Sequence, residues 1–465
     1  MERTYTKELK DKVGKEVILF GWVDTKRDHG KVTFIDMRDT SGLVQCVAAG
    51  NEDMKSISEE SVVKIEGLVK ERPENMVNEK EENGSIEIEV QKFEVLNKSK
   101  ELPIPIKSEG LEIKEEARLK YRYIDLRRAR MQKNMKLRSD FTREVREFLY
   151  NKGFVEVETP ILTKSTKEGA RDFIVPSRNY PGKFYALPQA PQQYKQLLMT
   201  SGIERYFQIA RCMRDEDLRA DRGYEFSQID LEMSFVSRQD VMSLVEDLVK
   251  TTIKKVGGKI KEDPFPVFDY KDALKKYGSD KFDLRTEEDK KKNVLAFAWV
   301  ENFPFFKKVN KEDAVEVQDT KSDWTFTHNP FSNPIPDHKQ KHLKGEDIGG
   351  IITDQYDLVC NGYEAGGGSI RAHESEVLKA TYKVMGYDDK YIEESIGHML
   401  EAFKLGTPPH GGIALGLDRL LMILANETSL KEVIPFPMTS SGRTSIMDAP
   451  AEVDKSQLDD LSIKT

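Results

Sequence analysis

The sequence predicts a multidomain α+β protein, on three observations. Five short strand-like runs crowd residues 1–105, the mark of a small closed barrel. Mid-chain, residues 205–235 read RYFQIARCMRDEDLRADRGYEFSQIDLEMSF, two strands of period-2 polarity joined by a charged loop. Stretches of helical spacing lie on either side, so the larger part is read as an antiparallel sheet flanked by helices.

The chain has 465 residues, 38% of them apolar and 33% charged, enough for a sizeable core. Its net charge of −8 means that a nucleic-acid partner must be met by local patches and stacking rather than by overall attraction. Cys46, Cys212 and Cys360 are isolated and odd in number, against a disulfide framework or a structural zinc. There is no apolar leader near Met1 and no run approaching the roughly 20 residues of a membrane span, so a cytoplasmic protein with no membrane partner is expected.

Taken in order, runs at 17–23, 32–37, 43–48, 62–69 and 86–96 predict a five-stranded barrel of OB type over 1–105. Such a barrel binds single strands by stacking and nearby cations. Phe34 is a stacking candidate, with Arg27, Gln45, Arg72 and Asn78 as polar readers. From the residues alone, Phe34 reads equally as barrel core. LPIPIK (102–107) ends the barrel, because two close prolines forbid regular pairing. Residues 106–135 are read as a hinge or linker, and 136–465 as the second domain.

Residues 115–152 have helical spacing and predict a long helix ending near Gly153, then a strand from Phe154 to Glu158. The small, polar TKSTKEGAR (163–171) predicts a mobile loop. In QAPQQYKQLLM (189–199) a turn passes into a helix with Leu197, Leu198 and Met199 facing the core and Gln192 and Lys195 sharing a side.

In the central pair, Ile229, Leu231, Met233 and Phe235 share one face, while Phe226, Gln228, Asp230, Glu232 and Ser234 share the other. Gln208, Ala210, Cys212 and Arg214 alternate likewise on the first arm. Asp230 and Glu232 can hold an ammonium or a hydroxyl, and Arg214, Arg219 and Arg222 suit phosphate or carboxylate.

Residues 239–256 predict an amphipathic helix, and 286–292 a charged linker. YDLVCNGYEAGGGSIR (356–371) predicts a strand, a glycine run and a second strand. Strict alternation would put Asp357 and Glu364 on opposite faces, so a bulge near Gly362 is expected to reunite them. GGIALGLDRLLMILA (411–425) predicts a strand running into a helix after Gly416. A helix N-terminus beside Arg419 is a natural nucleotide site. No G-x-x-x-x-G-K-[ST] loop is present, and no Ser-His-Asp or Cys-His arrangement is suggested.

Arg214, Asp215 and Glu216 followed by Phe226 resemble the second motif of class II aminoacyl-tRNA synthetases. RDEDLRADR with EF and QIDLE resembles the bacterial-type aspartyl-tRNA synthetases in particular, and the likeness extends over nearly the whole chain. It implies activation of L-aspartate by ATP to aspartyl-adenylate, then transfer to the 3′ end of tRNA(Asp), with Arg214 and Arg419 as the catalytic cations.

By the same resemblance Glu168, Gln192, Lys195, Arg214, Asp230, His328 and Arg371 hold aspartate. Arg214, Asp215, Glu216, Phe226, Glu364, Gly416, Leu417, Asp418 and Arg419 hold ATP, and Asp357 and Glu364 hold Mg²⁺, an ion suited to carboxylates plus phosphate oxygens. Lys195 and Arg371 form a cation pair that favours aspartate over asparagine.

GWVDTKRDHGKVTFIDMRDTSGLVQ (21–45) resembles the family's anticodon barrel, which favours Phe34 and Gln45 as base contacts. His29 stands where relatives that also accept tRNA(Asn) carry histidine. The helix and strand near 136–160 resemble the family's first motif, and that resemblance implies a homodimer. The sequence departs from the pattern at 286–292, where relatives carry a large insertion domain, at Asn329, where a second histidine is common, and at Gly223, where relatives often have glutamine. The alternatives are an asparaginyl-tRNA synthetase or a non-catalytic tRNA-binding paralogue.

Overall fold

A computed structural model folds the chain into two compact units, 1–105 and 106–465, and describes residues 2–166, 168–309 and 322–464. In the first unit β1 (Glu16–Asp28), β2 (Val32–Asp39), β3 (Gly42–Ala49), β4 (Val62–Glu71) and β5 (Ile86–Asn97) close into a barrel ordered β1-β2-β3-β5-β4. Alternation drives closure: along β2, Thr33, Ile35, Met37 and Asp39 point inward. Phe34 therefore lies on the outer face, not in the core.

The second unit is built on an eight-stranded sheet. In chain order its elements are α1 (Ala129–Asn151), β6 (Val155–Glu156), α2 (Gln192–Thr200), β7 (Arg205–Met213), β8 (Glu225–Ser234), α3 (Arg238–Lys255), β9 (Val267–Asp269), β10 (Phe297–Glu301), β11 (Gln355–Cys360), β12 (Tyr363–Ile370), α4 (Asp389–Lys404), β13 (His410–Gly416) and α5 (Leu417–Leu424). The sheet order is β9-β10-β11-β12-β13-β8-β7-β6. Its six central strands are antiparallel, and β9 and β6 pair in parallel at the two edges. One face packs on α1, α3 and α5, where Phe141, Val145 and Leu149 meet Ile229, Leu231, Val245 and Leu421. The opposite face carries the polar side chains.

Several expectations are corrected. Residues 106–135 are not a linker but part of the second unit, and the long helix breaks into Glu115–Lys120, Arg122–Asp125 and α1. The reason is a buried ionic knot: Arg118, Arg122 and Arg128 all donate to the fully buried Asp125 carboxylate. The strand after α1 is shortened to Val155–Glu156. Residues 286–292 are not plain linker, since Glu287–Lys291 is a short helix with a capping box between Thr286 and Asp289.

Phe235 is 67% exposed with φ +59°, because β8 ends at Ser234 and the chain turns there towards the Ser237 cap of α3. Helix α2 buries a polar stripe, Gln192, Gln193, Lys195 and Gln196, together with Met199, whereas Leu197 and Leu198 are only half-buried. The β11–β12 turn is Asn361-Gly362, both at positive φ, a two-residue hairpin and not a bulge. The bulge falls three residues later, where Leu358 pairs with Gly366 and Val359 with Glu364, skipping Ala365.

Candidate active site

The site is written in the register of the sheet. Cross-strand partners share a face, and one rung runs Gln208–Asp230–Ala414–Gly367–Asp357 across β7, β8, β13, β12 and β11. The next runs Tyr206–Glu232–Gly412–Ser369–Gln355. The skipped Ala365 shifts the parity of β12, so Glu364 joins Gly367, Ser369 and Arg371 on this face. Asp357 and Glu364 do converge: a Cβ on Gly367 would lie 3.0 Å from an oxygen of the first and 3.6 Å from one of the second.

Above the second rung four charged side chains interlock. Lys195 Nζ reaches Asp230 Oδ1 at 2.6 Å and Glu232 Oε2 at 3.1 Å. Arg371 donates to both oxygens of Glu232, to Ser369 Oγ at 2.8 Å and to the Gly412 carbonyl. Gly412 has to lack a side chain, because a Cβ there would lie 2.1 Å from the Leu231 carbonyl and 2.3 Å from Glu232. Burial would raise the Glu232 carboxyl, but Arg371 and Lys195 outweigh it and hold it below its ordinary range. Burial wins at Asp230, whose carboxyl is raised despite Lys195, and its Oδ2 is buried without a partner.

A cavity of about 190 Å³ opens over these rungs, lined by Glu168, Gln192, Lys195, Arg214, Asp230, His328, Glu364 and Arg371 among others. The structure thus brings all seven aspartate candidates together. Gln192 donates to Gln196 at 3.1 Å. Glu168 accepts from Thr166 and Gln193, and burial pushes its carboxyl up to about 7. Lys195 and Arg371, the expected cation pair, both line this cavity, and both already share Glu232, which lies beneath the lining. The parity of Glu232 with Asp230 was the available signal.

Among the residues expected to hold ATP, the Arg214 guanidinium lies 5.0 Å over the Phe226 ring and its Nε donates to the Gln189 carbonyl. Arg419 stands at the edge. It does not line the 190 Å³ cavity, but it donates to the Glu364 carbonyl at 2.6 Å, pairs with Asp221, and leaves its buried Nε without a partner. Phe226 and Asp418 border a different hollow of about 640 Å³.

Two of the ATP candidates are structural. Leu417 is core, and Asp418 accepts from the Ser227 amide at 2.7 Å and pairs with Arg138. Gly416 caps α5, Asp215 is tied through its amide to the Arg171 carbonyl, and Glu216 pairs with Arg222 at 3.2 Å.

Asp357 accepts from Gln355 through Oδ1, while its Oδ2 is buried with no partner and lies 3.8 Å from His328 Nδ1. Burial and then the charge of Glu364 push Asp357 well up. Glu364 goes down, because Lys281 and Arg419 overcome its burial. Burial lowers the His328 imidazole. An orphaned carboxylate oxygen facing a second carboxylate fits a hard divalent cation. Among the described residues no three His, Cys, Asp or Glu side chains form a metal-holding group.

Two contributors escaped the sequence reading. Gln189 has no motif signal, yet its amide donates to Thr166, Ala170 and Asp172 and accepts from the Ala170 amide, tying those three residues together. Lys281 Nζ lies 2.8 Å from Glu364 Oε2.

On the first unit, Phe34 and Gln45 lie on the outer face. His29 packs edge-on to Phe34 at 5.6 Å, and Arg27 donates to Gln45 at 3.2 Å. The other two expected readers differ. Arg72 is buried and donates to the Ile86 carbonyl, and Asn78 serves a turn by accepting from the Lys80 amide.

A small outer-face barrel and a charged cradle on an antiparallel sheet are the parts of a class II synthetase. Residues 17–96 match the OB-fold nucleic acid binding domain, and 114–440 match tRNA synthetases class II (D, K and N). The chain belongs to that class II family, and membership implies use of ATP.

It is 38% identical to an aspartate–tRNA(Asp/Asn) ligase of Treponema denticola, over 98% of this chain and 97% of the other. It is 39% identical to one of Natranaerobius thermophilus, over all of both. Asparaginyl-tRNA synthetase from Pyrococcus horikoshii, solved with asparaginyl-adenylate, superposes with a TM-score of 0.73 at 26% identity, covering 94% of this chain and 98% of that one.

Proposed function

We propose that this protein ligates L-aspartate to tRNA. The observation that carries the reading is the charge count of the cradle. Lys195 and Arg371 share one buried anion, Glu232, and Lys195 also pairs with Asp230, so the four charges balance in the free protein and one positive charge is released for the substrate's side-chain carboxylate only when Asp230 engages the substrate ammonium. Asp230, with a free Oδ2, faces the substrate ammonium. Asparagine would present a neutral amide to that excess charge and leave it uncompensated.

The aspartate α-carboxylate attacks the α-phosphorus of ATP and pyrophosphate leaves. The terminal adenosine hydroxyl of tRNA then takes the aspartyl group. Arg214, with Arg419 at the margin, aligns the phosphates and neutralises charge. Mg²⁺ would be held by Asp357 and Glu364, where it would supply further charge neutralisation.

The test is isotope exchange between pyrophosphate and ATP. Exchange is expected with aspartate and absent with asparagine, and the reverse would overturn the assignment.

Acceptance of both tRNA(Asp) and tRNA(Asn) is supported by the printed names of the two curated relatives and by His29 packed on Phe34. Charging of both purified tRNAs tests it. A homodimer through α1 and the segment after it is supported by exposed Tyr150, Val155, Ile161 and Leu162, and the mass in solution from sedimentation equilibrium tests it. No helix among the described residues is long and apolar enough to cross a membrane, which accords with a cytoplasmic setting.

A further inference from the structure

We propose that Lys281 is the internal counter-cation of the metal site: it occupies the Glu364 carboxylate in the free enzyme and yields it to a divalent cation that arrives with ATP. This rests on the reading of Asp357 and Glu364 as metal ligands. The geometry combines a fixed backbone with a free side chain. Around Lys281 the main chain is tied down, with its amide donating to Ser279 Oγ at 3.0 Å and the Phe282 carbonyl accepting from the Gly362 amide at 3.0 Å. Phe282 is buried and stacks on Tyr277 with ring centroids 4.3 Å apart. The Lys281 side chain itself is 45% exposed, so it can swing off Glu364 without leaving a buried hole.

Charge gives the exchange its direction. In the free protein the ammonium at 2.8 Å compensates Glu364, while Asp357 Oδ2 stays unpartnered. A bare divalent ion gains only two carboxylates and must expel Lys281 into solvent. An ion carried by ATP brings phosphate oxygens that complete its coordination, and it leaves the displaced ammonium a polyphosphate to contact. Binding of cation and nucleotide is then mutually reinforcing, as linkage requires.

The test uses the full-length protein, Mn²⁺ without nucleotide, and electron paramagnetic resonance of the free ion. Lys281→Met is expected to bind Mn²⁺ on the order of tenfold more tightly than the parent, and Lys281→Arg to behave like the parent. Adding Asp357→Asn to Lys281→Met should abolish the gain, which locates the ion. In the exchange reaction, Lys281→Met should raise the KM for ATP. Unchanged or weaker Mn²⁺ binding in Lys281→Met, or a gain that survives Asp357→Asn, overturns the proposal. Failure of the ligase reading is a separate result, seen as no aspartate-dependent exchange in the parent protein, and the Mn²⁺ titration is decided independently of it.

Discussion

Glu232 shows how much of this site depends on a residue that does not face the substrate. It is fully buried, bridges Lys195 and Arg371, and together with Asp230 balances their charge. Removing one member of a buried charge cluster leaves its partners uncompensated, which typically costs about 3–5 kcal/mol. Glu232→Gln should therefore lower stability by about 3 kcal/mol in urea titrations and reduce kcat/KM for aspartate at least roughly 100-fold in exchange assays.

Glu168 gives a pH signature. Burial lifts its carboxyl to about 7, so it is protonated below that pH and ionised above. On the proposed reading an ionised Glu168 would attract the substrate ammonium, and KM for aspartate should fall as pH rises from about 6 to about 8. Glu168→Gln should flatten that dependence. Asp230 and Arg371 were legible in the sequence because strand parity and family motifs coincide there. Gln189 and Lys281 were not, since each works through one side chain in a loop that has no period.

At the scale of elements, the β7–β8 hairpin could be read almost to the residue, whereas the β11–β12 hairpin was misread. Parity counted through a turn fails when the turn has two residues, because the cross-strand pair Val359–Glu364 then decides which side each carboxylate faces. A bulge at Ala365 is invisible to alternation, since alanine fits either face. Helix α2 was misread for a related reason: hydrophobicity marks a core face, but here the buried stripe is the functional one.

Gly412 sits where β8, β13 and β12 cross beneath Arg371. Gly412→Ala would drive a methyl group into the Leu231 carbonyl and Glu232. A loss of about 1–3 kcal/mol is expected, the usual range for overpacking. Differential scanning calorimetry would show it, and aspartate binding should weaken in parallel because Glu232 is displaced.

For the whole molecule, the knot at Asp125 ties 115–128 to the C-terminal part of the second unit: Arg118 also pairs with Glu432, and Arg122 donates to the carbonyls of Ile434 and Pro435. Burial would raise the Asp125 carboxyl, but Arg118 and Arg128 hold it below its ordinary value. A carboxyl depressed in the folded state stabilises above its unfolded pKa of about 3.9 and loses that contribution as pH falls through its folded pKa. Asp125→Asn should cost about 3–5 kcal/mol at neutral pH and remove part of the acid sensitivity, as read by urea midpoints between about pH 3 and pH 7. A prolyl pair and charged composition had marked 106–135 as a connector, since nothing local in the sequence shows that arginines so near a hinge bury together.

The two units also divide the predicted effects. Phe34→Ala on the barrel should reduce tRNA charging by about tenfold or more, the scale of one lost base stack, yet leave aspartate-dependent pyrophosphate exchange intact. Arg214→Ala should abolish both.

The amide link from Asp215 to the Arg171 carbonyl has a last consequence. It fastens the stretch that holds Glu168 to the start of the β7–β8 loop, so on the proposed reading the segments beside the amino acid and beside the nucleotide should move together. In the proposed reaction that coupling should discourage departure of one reactant before the other and help shelter the mixed anhydride from hydrolysis.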